Sequence, residues 1–302
     1  MLPSFQVFGM TIPMYGVMSA VGMLAAFVLL GFTRKLTRFS EDHALSAALW
    51  AIIMGFVGAK VLFYLVEIKQ VIADPSYILH TLREGFVFYG ALIGGLGGVA
   101  IYARKKKLPF FSLTDYFIPA LVIGHAFGRI GCLFAGCCYG MECETPISII
   151  FPAGSAAPAG IPLLPTQIME SVFLFLLCAF LVWRLAKQKP FGTVSGWYMV
   201  LYGAWRFTIE FFRNDERGAV GALSTSQFIS IFIFVGGLAL LLLVKFGVLK
   251  KTVLDLPIPV EEEPKKKKDK AEAATEETVE VTEEAKPEEP KAEAEAKPEE
   301  KE

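Results

Sequence analysis

The chain has 302 residues, 54% of them hydrophobic, with 26 phenylalanines and a mean hydropathy of +0.51. So apolar a chain is no ordinary water-soluble domain, and no nucleic-acid partner is expected. The net charge of -1 averages two unlike parts. Residues 1–252 are apolar with short basic patches, whereas the stretch beyond them, most plainly 260–302, is almost entirely Glu, Lys, Ala, Pro, Thr and Val. Residues 253–302 lack aromatics and cannot bury enough apolar area to offset their ordering entropy, so a disordered charged tail is expected there.

Seven windows before the tail are long and apolar enough to span a bilayer core of about 30 Å at about 1.5 Å per residue. They run approximately over 10–32, 44–67, 86–103, 113–134, 165–186, 194–213 and 225–248. The expected fold class is therefore all-α: a polytopic membrane helix bundle with seven transmembrane helices. Arg34, Lys35 and Arg38 follow the first span, Arg104, Lys105, Lys106 and Lys107 the third, Arg184, Lys187 and Lys189 the fifth, and Lys250 and Lys251 the seventh. The alternate connections carry Lys69 and Arg83, then none in 136–164, then Arg213 and Arg217. The positive-inside rule puts the N-terminus outside and the tail in the cytoplasm. The opening Met1-Leu-Pro-Ser-Phe-Gln6 has no basic stretch, so a cleaved signal peptide is not expected.

In chain order, the spans gather their polar residues towards the outer end. Span one opens with Tyr15. Span three carries Tyr89 near its outer end and runs through Tyr89-Gly-Ala-Leu-Ile-Gly-Gly-Leu-Gly-Gly98, a small-xxx-small pattern that reads as close helix packing. No strand precedes it, so it is not a dinucleotide loop. Span four carries His125 and Arg129, with Gly124, Gly128 and Gly131 leaving room for a neighbouring helix or a lipid headgroup. Thr166, Gln167 and Glu170 open span five, and Arg206, Glu210 and Arg213 close span six. A charged side chain in a bilayer costs roughly 2.5–3.5 kcal/mol on insertion scales, so Arg129 and Arg206 need a partner or a ligand. One reading of Arg206 and Glu210, a helical turn apart, is an ion pair that only fixes packing. The other is a site for a phosphate or carboxylate that opens to the outer leaflet, as the one-sided placement suggests.

Cys132, Cys137, Cys138 and Cys143 cluster around the outer end of span four. Disulfides on an oxidising face, structural thiols and a reactive thiol are all open readings. The spacing lacks paired C-x-x-C hooks, so no metal is expected. Cys178, alone in span five, reads as a packing residue.

Gly128-Arg-Ile-Gly-Cys-Leu-Phe-Ala-Gly-Cys-Cys-Tyr-Gly140 resembles the signature of the prolipoprotein diacylglyceryl transferase family. Met14-Tyr-Gly16, Phe88-Tyr-Gly-Ala-Leu-Ile-Gly94, Leu164-Pro-Thr-Gln-Ile-Met-Glu170 and Tyr202-Gly-Ala-Trp-Arg-Phe-Thr-Ile-Glu-Phe-Phe-Arg213 agree in order and spacing, so the resemblance covers roughly residues 10–250. It implies an enzyme of the bacterial inner membrane. Such an enzyme moves a diacylglyceryl group from phosphatidylglycerol to the thiol of the lipobox cysteine in a prolipoprotein signal peptide, releasing glycerol phosphate. The resemblance also implies that Arg129 holds the lipid phosphate, that Arg206 stabilises the leaving phosphate while Glu210 orients it, and that Tyr15 lines the lipid site. Gly128, Gly131, Gln167 and Glu170 join them as lipid- and phosphate-binding candidates. Displacement at carbon by sulfur needs a thiolate, an anion clamp and a dry cavity, and no cofactor is expected.

The chain departs from the family pattern at several positions. The family usually has His at Tyr89, Asn at Cys132 and Ala135, Glu at Cys137 and His at Leu164. An ordinary tyrosine is only about a thousandth ionised at neutral pH and is a poor base. Tyr89 and His125, the latter four residues before Arg129, are the candidates for catalytic proton removal. The alternative for His125 is a buried neutral histidine bonded to a neighbouring helix. The competing function is a non-catalytic or altered-specificity relative that binds or transports lipid. The lack of two matched halves and the one-sided site favour the transferase.

Overall fold

The computed structural model describes residues 3–37, 41–82, 85–187, 189–214 and 218–251. The tail expected over 253–302 lies outside them. A short hairpin, β1 (Ser4–Val7) and β2 (Met10–Pro13), turns on Phe8 and Gly9, both at positive φ, as a two-residue primed turn requires. It leads into α1 (Met14–Thr37). There follow α2 (Glu41–Val66), the short helices α3 (Ile68–Ala73) and α4 (Tyr77–His80), α5 (Phe88–Lys106) and α6 (Phe110–Ala135). The segment after α6 holds two two-residue strands, β3 (Ile149–Ile150) and β4 (Pro162–Leu163), and a small cluster of Phe151, Ala157 and Leu163. Then come α7 (Thr166–Ala186), α8 (Thr193–Ile209) with a 3-10 turn at Glu210–Phe212, a hairpin of β5 (Ala219–Val220) and β6 (Leu223–Ser224), and α9 (Thr225–Lys245). Ser224 and Gln227 close a reciprocal capping box at the start of α9.

Five of these helices, α1, α2 from Asp42, α6, α7 and α9, are long and apolar enough to cross a membrane by length and composition. The sequence predicts seven. The two that fall short are α5, diluted by five glycines and closing on Arg104, Lys105 and Lys106, and α8, with 17 residues. Leu24, Val28, Phe32, Phe56, Leu176, Phe232 and Val235 all stand on exposed helix surfaces. Such apolar outer faces suit a helical membrane bundle, whose backbone polar groups are satisfied within each helix.

The helices pack as antiparallel neighbours. On α2 and α5, Gly58 faces Gly90 and Gly94, and Trp50 faces Gly98, so the backbones lie too close for a Cβ. On α1 and α6, Gly22 meets Gly124, and Tyr116 Oη donates to the Leu30 carbonyl at 2.9 Å. On α6 and α7, Ser171 Oγ donates to the Ala126 carbonyl, and Cys178 is buried against Pro119 as a packing residue. On α8 and α9, Gly196 meets Leu241 and Gly203 meets Ser230 and Phe234. The main core lies between α6, α7 and α8, with Val122, Ala126, Leu174, Leu181 and Val194 buried in it.

Two embedded charges not singled out from the sequence have structural partners. Lys60 in α2 donates to the carbonyls of Thr81 and Gly85 and lies over the rings of Phe63, Tyr64 and Phe86. Asp115 in α6 accepts from the backbone N–H groups of Gly192 at 2.9 Å and Ser195 at 2.7 Å, so one helix caps the N-terminus of another.

Candidate functional site

The end of α6, the starts of α1, α7 and α9, and the end of α8 meet at one end of the bundle. Glu170, on the first turn of α7, is the centre and is wholly buried. Its Oε1 lies 3.1 Å from Arg129 Nη2 and 3.9 Å from His125 Nε2, and its Oε2 lies 3.8 Å from Arg213 Nη1. Beside it, Arg206 Nη1 lies 2.7 Å from Glu210 Oε2, while Arg206 Nη2 donates to Ser226 Oγ at 2.7 Å. Arg213 Nε is 3.9 Å from the same Glu210 oxygen, so Arg213 stands between both carboxylates.

Local backbone geometry makes this possible. Arg206 and Glu210 are one turn apart, and the chain then tightens into a 3-10 turn and becomes extended at Arg213. There it pairs with Gly140, and Met141 N donates to the Phe212 carbonyl at 2.9 Å. A Cβ at Gly140 would stand 2.7 Å from the Leu164 carbonyl and 2.8 Å from that of Phe212, so only glycine fits. Among the described residues, three guanidinium groups therefore face Glu170 and Glu210. Guanidinium groups gathered in one buried place suit an anionic group, which they can hold with two parallel N–H donors each.

A shell of neutral groups orients the charges. His125 Nε2 accepts from Arg129 Nε at 3.2 Å. The His125 ring meets Tyr202 edge-on at 5.5 Å, Tyr202 hydrogen-bonds Arg129, and Tyr202 stacks on Tyr198. Gln167 Nε2 and Thr166 Oγ1 donate to the carbonyls of Cys137 at 2.8 Å and Cys138 at 2.7 Å, pinning the loop after α6. Tyr15 packs on Gly131, where a Cβ would meet the tyrosine ring at 3.1 Å, whereas a Cβ at Gly128 would stand in open space.

Of the residues the sequence predicts, Arg129, His125, Glu170, Arg206 and Glu210 come together directly. Gln167 joins through the loop it holds, and Tyr15 through Gly131. Tyr89 sits on the first turn of α5 and is 40% exposed. Arg206 and Glu210 do form the ion pair read as an alternative from the sequence, but within a larger group. Three members were not assigned roles. Arg213 and Tyr202 lay inside the quoted span-six motif, and helical spacing from Arg206 and Glu210 was the signal for Arg213. Ser226 carries no signal, being one serine among others at the start of the last span.

All five cysteines are described, and none is in a disulfide. The sulfurs of Cys132, Cys137 and Cys138 lie within 4.8 Å of one another. In the loop, hydrogen bonds from Cys132 and Cys137, with Arg213 nearby, hold the Cys138 thiol below the ordinary thiol range. Cys143 stands apart and meets Ser148 Oγ at 3.3 Å.

Residues 3–243 match the family model described as prolipoprotein diacylglyceryl transferase. The chain is 47% identical over 237 residues to a Clostridium perfringens (strain 13 / Type A) protein, with 78% of this chain and 92% of that one covered. That relative is named phosphatidylglycerol–prolipoprotein diacylglyceryl transferase 2. This chain is 44% identical over 234 residues to a protein of Clostridium tetani (strain Massachusetts / E88) named phosphatidylglycerol–prolipoprotein diacylglyceryl transferase, covering 78% of this chain and 94% of the relative. A Finegoldia magna protein of the same name is 30% identical over 248 residues, covering 82% of this chain and 97% of the relative.

Proposed function

The chain belongs to the prolipoprotein diacylglyceryl transferase family, and from that premise we propose that it transfers a diacylglyceryl group from phosphatidylglycerol to the lipobox cysteine thiol of prolipoproteins. The observation that carries this reading is the buried group of Arg129, Arg206, Arg213, Glu170 and Glu210. Its guanidinium groups suit the phosphodiester of the lipid headgroup. Arg129 and Arg213, steadied by Glu170, clamp the lipid phosphate. Arg206, oriented by Glu210 and Ser226, takes the charge that grows on the leaving glycerol phosphate. Gly128 and Gly131 admit the headgroup, Tyr15 lines it, and Gln167 holds the loop that closes over it. His125 spends its Nε2 lone pair on Arg129, so it positions that arginine rather than taking a proton. Tyr89, at the same end of the bundle, contacts substrate.

The membrane arrangement belongs to the same reading. α5 runs antiparallel along α2, and α8 along α9, and this pairing supports a reading of seven spans. With the basic helix ends inside, the N-terminus faces out, the tail faces the cytoplasm, and the site opens to the outer leaflet of a bacterial plasma membrane. A reporter fused after residue 251 would be active only in the cytoplasm.

The deciding experiment reconstitutes the purified full chain in phosphatidylglycerol vesicles with a synthetic lipobox peptide. The peptide gains the mass of a diacylglyceryl group while glycerol phosphate is released. Lipid binding without any transfer would establish the non-catalytic alternative.

A further inference from the structure

Cys132 lies in the last turn of α6, and the helix ends at Gly136, which takes a left-handed conformation at φ 71. Cys138 is itself at φ 64, so the chain doubles back across the helix end. Cys137 N donates to the Cys132 carbonyl at 3.1 Å, while Thr166 and Gln167 hold the carbonyls of the two loop cysteines from α7. Three sulfurs thereby converge within 4.8 Å of one another. Tetrahedral zinc with Zn–S bonds of about 2.3 Å sets its sulfurs about 3.8 Å apart, so rotation of the side chains by about an ångström closes the set. Sequence spacing hides this, because the ligands come from a helix end and the turn that follows it.

We propose that Cys132, Cys137 and Cys138 bind one zinc ion as thiolates and leave its fourth position for the sulfur of the substrate cysteine. Zinc with three protein ligands and an open position is a catalytic rather than a structural arrangement. The surroundings suit it. Arg129 interacts electrostatically with Cys132 and Cys138, and Arg213 stands beside Cys138. Four thiolates around one zinc carry two net negative charges, and the two arginines lie beside them. The site therefore joins the phosphate clamp to the place where the acceptor sulfur must arrive.

The inference rests on the thiol-alkylating function proposed above. The incoming thiol coordinates zinc and gives its proton to water. A carbon–sulfur bond forms at the glyceryl carbon as the carbon–oxygen bond to phosphate breaks, and the electron pair leaves with glycerol phosphate. Nothing is oxidised or reduced. The product thioether is neutral, a weaker zinc ligand than a thiolate, and departs. A metal-bound thiolate needs no general base at that step, which fits an imidazole at His125 already engaged by Arg129.

The test purifies the full chain from membranes on a tag without histidines and measures zinc per protein. The expected result is one zinc per chain, lost in Cys132→Ser, Cys137→Ser and Cys138→Ser and kept in Cys143→Ser. Monodispersity and thermal unfolding show whether each variant is folded. The cobalt-substituted protein provides a second readout that needs no variant, a thiolate-to-cobalt charge-transfer band that changes when a lipobox peptide binds. Phosphatidylglycerol transfer is measured on the same preparations. Transfer at full rate by zinc-free protein overturns the inference and leaves the transferase reading intact. Loss of two hydrogens from the cysteine set with no zinc bound means a disulfide, and also overturns it. Stoichiometric, cysteine-dependent zinc without transfer under any condition overturns the catalytic role and the transferase reading, but not the ion site.

Discussion

Arg129 Nη2 lies 3.1 Å from Glu170 Oε1, and the carboxylate is sealed from solvent. Both Glu170 oxygens lack a well-directed hydrogen bond among the described residues, so opposite charge is what holds this carboxylate. Replacing Glu170 with glutamine takes the carboxylate from Arg129 and one of the carboxylates beside Arg213. Breaking a buried pair in this way costs about 3–5 kcal/mol, and thermal unfolding in detergent should show a loss of that order. An anionic lipid should then restore more stability to Glu170→Gln than to the parent, while a zwitterionic lipid should not. Equal responses of both proteins to phosphatidylglycerol would remove the arginine pair from the lipid clamp.

Arg206 uses two prongs, Nη1 to Glu210 and Nη2 to Ser226. An ammonium cannot reproduce that planar fork. Arg206→Lys should lower kcat by about 10²-fold or more, the usual worth of one lost donor to a developing charge, with a smaller change in KM. Ser226→Ala keeps the guanidinium and its carboxylate and should cost less. A kcat for Arg206→Lys within twofold of the parent rate would mean that the fork only fixes packing.

The glycines on α2 and α5 make a stability prediction with a built-in control. A Cβ at Gly58 would collide with the Gly90 carbonyl, whereas one at Gly97 meets nothing within 4 Å. Gly58→Leu should separate the two helices and lower the melting temperature and folded yield. Gly97→Ala should be neutral or slightly stabilising, because alanine is the better helix former by roughly 1 kcal/mol. If both variants unfold alike, the close approach of α2 and α5 is not what holds them.

The helical bundle was legible because apolar windows of membrane length are a strong signal, and the one-sided placement of polar residues pointed to the end of the bundle where Arg129, Glu170 and Arg206 gather. Helix ends were less legible. Span six is expected to run to Arg213, but the helix stops at Ile209 because the chain must unwind for Arg213 to pair with Gly140. Lys60 was averaged away inside an apolar window, since the carbonyls that satisfy it come from a later segment. Asp115 caps a helix 77 residues further on, a contact that no local pattern encodes. The cysteine set was hidden for a similar reason: spacings of five and one form no hook until Gly136 and Cys138 turn left-handed.

The last prediction separates two roles for His125. Arg129 Nε donates to His125 Nε2 at 3.2 Å, which fixes that nitrogen as an acceptor. A general base needs the same lone pair for the substrate proton. If His125 positions Arg129, a glutamine can do the same through its amide oxygen. His125→Gln should then keep the rate within severalfold and leave the rate–pH profile unchanged. His125→Phe, which cannot accept, should weaken phosphatidylglycerol binding and raise KM. If His125 were the base, His125→Gln would slow transfer by about 10²–10⁴-fold, and the defect would shrink as pH rises towards the thiol's own pKa. Tyr89→Phe completes the comparison, since a hydroxyl that only contacts substrate should cost little at any pH. A large pH-dependent loss in His125→Gln would return His125 to proton transfer and make the arginine contact a feature of the resting site.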